Sequence, residues 1–169
     1  TDMSAMFEGA RSFAQDINGW NVLAVTSMAN MFRRASTFNR QLNGWNTATV
    51  RNMSGMFENA ASLVFPGTWT TVSVEDMSSM FKDASNAFTG ETTGDTTGVR
   101  VHIGNWDTSS VKDMNSMFNG ATAFNLADIA SWNTVSATNM GAMFRNAALF
   151  NQDISGWNVA SVQNMADMF

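Results

Sequence analysis

A chain of 169 residues, 44% apolar and 14% charged, with a net charge of −5, is long enough for one domain with a sizeable core and too apolar for disorder. With no cysteine it has no disulfide framework and no cysteine-ligated metal, and its acidic balance argues against a nucleic-acid partner, whose phosphates call for clustered Lys and Arg. No apolar run reaches the roughly 18 to 20 residues of a membrane span.

The organising feature is a repeat. Met-x-x-Met-Phe recurs at Met3, Met28, Met53, Met77, Met114, Met140 and Met165, in steps of 25, 25, 24, 37, 26 and 25 residues, and accounts for all 14 methionines. Each complete unit has one tryptophan (Trp20, Trp45, Trp69, Trp106, Trp132, Trp157), always eight residues before the next motif. Such a fixed period marks stacked units, none of which buries its apolar side alone.

Within a unit, Met3, Met6, Phe7 and Ala10 fall at i, i+3, i+4 and i+7, which predicts one face of a short helix. The preceding residue (Asp2, Ser27, Asn52, Asp76, Asp113, Asn139, Asn164) is a helix-capping type. Gly9, Asn59, Gly120 and Asn146 suit a left-handed helix end. Next come an aromatic (Phe13, Phe38, Phe88, Phe124, Phe150) and an extended stretch, in which Ile17, Trp20 and Val22 match the strand of a leucine-rich repeat. An alternative places the strand over residues 13–17. The expected fold is therefore an α/β repeat solenoid, leucine-rich-repeat-like, of about six units of ~25 residues, each a short parallel β-strand plus a short helix. At a rise of ~4.8 Å per unit it forms a rod roughly 29 Å long.

The segments Val162 to Phe169 (VQNMADMF) and Phe150 to Val159 (FNQDISGWNV) resemble the BspA-like leucine-rich repeats, in the branch found in mycoplasma surface lipoproteins and formerly described as a domain of unknown function. The resemblance covers nearly the whole chain. It implies a right-handed solenoid at the cell surface or secreted, with adhesion or partner binding as its role, and no catalytic residues. The third unit departs most, with Leu63 in the aromatic slot and Phe65-Pro66-Gly67 replacing the Asp-Ile pair.

Equivalent positions stack into columns. Met28, Met31, Phe32, Trp45, Trp132 and Trp157 represent the core columns, although an exposed tryptophan column would instead stack on sugar rings. Glu8, Arg33, Glu58 and Lys82 alternate in charge and predict a ladder of ion pairs. Asp16, Asp128 and Asp153 share a column with Gln41 and His102, where bonding to turn amides is preferred over Ca²⁺ binding, which takes about 6 to 8 ligands. The asparagines after tryptophan are expected to bond the amides of adjacent turns, and threonine is not regularly stacked in any column. No nucleophile and base pair, metal cluster or phosphate loop is recognised, so neither catalysis nor a cofactor is expected.

Two surfaces are candidates for partner contact. One is a flat strip of small polar residues between the Ile and Trp columns, represented by Asn18, Asn43, Asn105, Ser131 and Ser155. The other is an insertion in the fourth unit at residues 89–101, with Gly90, Glu91, Gly94, Asp95 and Arg100, since loops on rigid scaffolds carry recognition. Residues 1–169 read as one domain excised from a longer array, because both ends fall in the same phase of the repeat, and end-to-end self-association follows as an expectation. The function expected first is a non-enzymatic scaffold of a secreted or cell-surface protein, contacting other proteins or host-surface molecules. The alternatives are a building block of an extracellular filament, sheath or surface layer, and a glycan-binding module.

Overall fold

Consecutive Met-x-x-Met-Phe segments lie beside one another, each joined to the next through backbone hydrogen bonds. The computed structural model describes residues 1–63, 69–88 and 103–169. In the second unit, the N–H groups of Met28, Asn30, Phe32 and Arg34 donate to the carbonyls of Asn52, Ser54, Met56 and Glu58 in the third, at 2.9, 2.8, 2.9 and 2.8 Å. The intervening N–H groups bond within the unit: Met31 to Met28, Arg33 to Asn30 and Ala35 to Phe32, at 3.1, 3.0 and 3.0 Å. Backbone donors thus alternate between closing a local turn and stitching one coil to the next, which satisfies the polar backbone of a buried segment.

This geometry corrects the expected fold class. Among the described residues the units contain no α-helix and no strand, so the chain is not an α/β solenoid of strand-plus-helix repeats. The helical elements among the described residues are two short 3-10 turns, Ser85–Phe88 and Ala127–Ser131. Among the described residues parallel pairing is confined to one residue per unit, in the series Asp2, Ser27, Asn52, Asp76, Asp113, Asn139 and Asn164. It falls beside the methionine motif and not at Ile17, Trp20 and Val22 or over residues 13–17, where the strand was expected.

The expected helix is a run of four-residue turns. Asn30 (φ 55°) and Arg34 (φ 58°) occupy the third position of the turns closed by Met31 and Ala35, the position at which type II turns require positive φ. The same two positions are left-handed in other units, as at Ala5 and Gly9, Gly55 and Asn59, and Ala142 and Asn146. Repeating every four residues, the turns send i, i+3, i+4 and i+7 inward, the same set as a helix face. Met28, Met31, Phe32 and Ala35 are accordingly fully buried. The residues read as helix caps do accept the N–H two positions on: Asn52 Oδ1 from Ser54 and Asp76 Oδ1 from Ser78, at 2.8 and 2.9 Å. They close turns instead of starting helices.

The core is one continuous stack. Motif phenylalanines lie nearly parallel along it: Phe32 on Phe57 at 5.6 Å, Phe57 on Phe81 at 5.9 Å and Phe118 on Phe144 at 5.8 Å. The second aromatic column packs on the first within a unit, as Phe32 on Phe38 at 4.2 Å. Methionines, with three flexible bonds, fill the spaces around these rings. The fourth unit breaks the second column: Ala87 takes the slot three residues after the motif alanine, and Phe88, arriving one residue late, sits edge-on to Phe124 at 80°.

Candidate interaction surfaces

The strip residues are accessible: Asn43, Asn105, Ser131 and Ser155 are exposed and Asn18 is half-buried. Several are also tied to neighbouring coils, which sets how flat the strip is. Asn18 Oδ1 accepts the N–H of Gly44 at 2.8 Å, and a Cβ on Gly44 would lie 2.7 Å from the Asn18 carbonyl oxygen, so glycine is required for this approach. Asn43 donates its amide to Gln41, and the Ser131 hydroxyl contacts the carbonyls of Asp128 and Gly104 at 2.8 and 3.2 Å. Asn105 and Ser131 line an open depression of about 370 Å³ with Gly104, Ala127, Asp128 and Ala130. The loop candidates Gly90, Glu91, Gly94, Asp95 and Arg100, like His102 and Phe65 to Gly67, lie outside the described residues.

The tryptophan column is interior. Trp45, Trp132 and Trp157 are 3%, 3% and 7% exposed, and Trp132 stacks on Trp106 and Trp157 at 6.3 Å each. Their indole N–H groups are consumed inside, donating to the carbonyls of Ile17, Ile103 and Ile129 at 3.0, 2.9 and 3.0 Å. These rings have no free face for a sugar; among the described tryptophans only Trp20, at 40%, is substantially exposed.

The acidic and amide columns serve the turns. Asp16 and Asp153 accept the N–H of Asn18 and Ser155, each at 2.9 Å. Asn21, Asn46, Asn133 and Asn158 accept the N–H two residues further along their own coil, with Asp107 doing the same in the fourth unit. The Ser109 hydroxyl and N–H hold the Asp107 carboxyl below its usual range, and the Ser155 N–H and hydroxyl do so for Asp153. Among the described residues no three His, Cys, Asp or Glu side chains converge on a metal position.

Two features depart from the expected columns. Threonine does stack: Thr47, Thr71, Thr108 and Thr134, two residues after each tryptophan, are buried, and each hydroxyl donates to a carbonyl of the next coil at 2.9 to 3.0 Å. The signal was present as Trp-x-Thr in four successive units, but valine at Val22 and Val159 obscured it. One residue further on, Leu23, Ala48, Val72, Ser109, Val135 and Ala160 form a row on the outer surface. Beside it, Glu75 accepts from both Arg51 and Lys112 at 2.7 Å, and these cations hold its carboxyl below the usual range, Lys112 most strongly. A depression of about 400 Å³ joins row and charges, lined by Val72, Ser109, Glu75 and Lys112 among others. The anticipated charge ladder is present too, with Arg33 3.2 Å from Glu8 and 3.1 Å from Glu58, and Lys82 4.0 Å from Glu58.

A family model described as "Mycoplasma protein of unknown function, DUF285" matches this chain twice, over residues 1–94 and 87–169. No curated protein and no solved structure matches it. Among the described residues no helix is long and apolar enough to cross a membrane.

Proposed function

Because the chain belongs to the family described as Mycoplasma protein of unknown function, DUF285, we propose that it acts as a non-enzymatic scaffold of a secreted or cell-surface protein, contacting other proteins or host-surface molecules. The observation that carries this reading is the repeated stitching of one coil to the next. It sets surface side chains in parallel rows at a rise of ~4.8 Å, an arrangement suited to an extended macromolecular partner. The described depressions are open and shallow, which fits a contact surface better than an enclosed small-molecule site. The likeness of the repeats to BspA-like repeats of surface lipoproteins supports the external setting.

The strip from Asn18 to Ser155 and the insertion at residues 89–101 are the proposed contact surfaces. The test is saturable binding of the labelled chain to cultured host cells, compared with an Asn43→Arg/Ser131→Arg variant and with a chain lacking residues 89–101. Loss of binding in either variant supports the reading. Saturable binding that both variants retain in full, or no saturable binding by the parent chain, overturns it.

A further inference from the structure

The outer row three residues after each tryptophan alternates large and small. Leu23, Val72 and Val135, in the first, third and fifth coils, are 52%, 46% and 45% exposed, while Ala48, Ser109 and Ala160 stand in the second, fourth and sixth. Projecting apolar side chains are thus separated by gaps one coil wide. Val72 and the small Ser109, in adjacent coils, also line the depression of about 400 Å³, together with the charged side chains of Arg51, Glu75 and Lys112 and with three further serines.

Such a row is complementary to its own reverse. When a second copy is turned about a two-fold axis between the third and fourth coils, the first coil faces the sixth, the third faces the fourth and the fifth faces the second. Leu23 then meets Ala160, Val72 meets Ser109 and Val135 meets Ala48, so each large side chain enters a gap. The adjoining charges obey the same operation: Glu75 belongs to the third coil and Lys112 to the fourth, so Glu75 of each copy faces Lys112 of the other. Size and charge are independent properties of the row, and both are satisfied by one axis.

We propose that this face is the interface of an antiparallel homodimer, in which Val72 of each copy packs over Ser109 of the other. The symmetry closes the assembly at two copies, because the same patch is used on both sides. A face six coils long, roughly 29 Å, is modest for a permanent interface and gives a dimer that forms in a concentration-dependent way. The row and the strip share no residue, so the proposal stands apart from the adhesion reading.

Sedimentation equilibrium of the full chain, from about 1 μM to about 1 mM, tests the proposal over the range in which an interface of this size associates. The expected result is a monomer and dimer equilibrium whose dissociation constant rises about tenfold or more in Val72→Asp and in Leu23→Asp, both changes at exposed positions that leave thermal unfolding cooperative. Because the chain has no cysteine, the Leu23→Cys/Ala160→Cys variant reports geometry: the antiparallel pairing gives a covalent dimer on oxidation. The proposal is overturned by a monomer at every concentration, by a dimer indifferent to both Asp substitutions, or by a dimer that Leu23→Cys/Ala160→Cys does not cross-link. That last result would indicate a parallel, staggered stack.

Discussion

The indole N–H of Trp45 donates to the carbonyl oxygen of Ile17, 28 residues earlier and one coil away, at 3.0 Å inside the core. Trp69, Trp132 and Trp157 repeat the bond to Leu42, Ile103 and Ile129. Tryptophan is accommodated in this column because its ring fills the core and its buried N–H finds an acceptor in a carbonyl of the preceding coil, which also accepts a backbone N–H of its own coil. Trp45→Phe keeps a ring in the stack but removes one of the two hydrogen bonds to the Ile17 carbonyl, which still accepts the Trp20 N–H at 3.0 Å, and should lower the unfolding free energy by about 1 kcal/mol or more, read from urea denaturation. A loss below about 0.5 kcal/mol would show that the bond contributes little.

The acidic turn residues give the fold a pH dependence of defined sign. Asp107 and Asp153 have carboxyls lowered by hydrogen bonds from Ser109 and Ser155, so their contribution is complete above the ordinary carboxylate range and lost as pH falls through the lowered folded-state values. The urea midpoint should therefore fall as pH drops below about 4. Asparagine already fills the Asp107 column in four other units, so Asp107→Asn should leave stability at neutral pH nearly unchanged and reduce the acid loss. A variant with the full acid loss of the parent would refute this assignment.

Arg33 sits between Glu8 and Glu58, and Glu58 is the more enclosed of the two, with its side chain 12% exposed. Arg33→Glu replaces two attractions by two repulsions. It should cost about 1 kcal/mol at low ionic strength, with much of that cost disappearing at about 1 M salt. Thermal melts at the two salt concentrations check it, and a cost that does not depend on salt would place the effect in packing.

The columns were legible in the sequence because a residue's role recurs in each coil: Met28, Phe32 and Trp45 lie in the core as their spacing implies, and the Glu8, Arg33, Glu58 and Lys82 ladder is formed. Backbone conformation was not legible. A four-residue turn repeat and a helix bury the same i, i+3, i+4 and i+7 set, so Met28, Met31, Phe32 and Ala35 cannot distinguish them. The distinguishing positions are Asn30, Gly55, Ser79, Ser116 and Ala142, all left-handed and all small or polar, residues a short helix also tolerates. The outer row from Leu23 to Ala160 is hidden in the single-coil repeat for a related reason: its large and small residues alternate with a period of two coils.

Gly55 separates the two backbones most directly. In a helix it would be an interior residue, and Gly55→Ala would stabilise the fold by about 1 kcal/mol. In the coil observed here it has φ 58°, and an added Cβ would press on the Asn30 side-chain oxygen of the preceding unit. Left-handed strain alone then makes Gly55→Ala destabilising by about 1 to 2 kcal/mol. The urea-unfolding free energy of this one variant is the decisive measurement: a loss of that size supports a fold built from turns, and a gain of about 1 kcal/mol would contradict it.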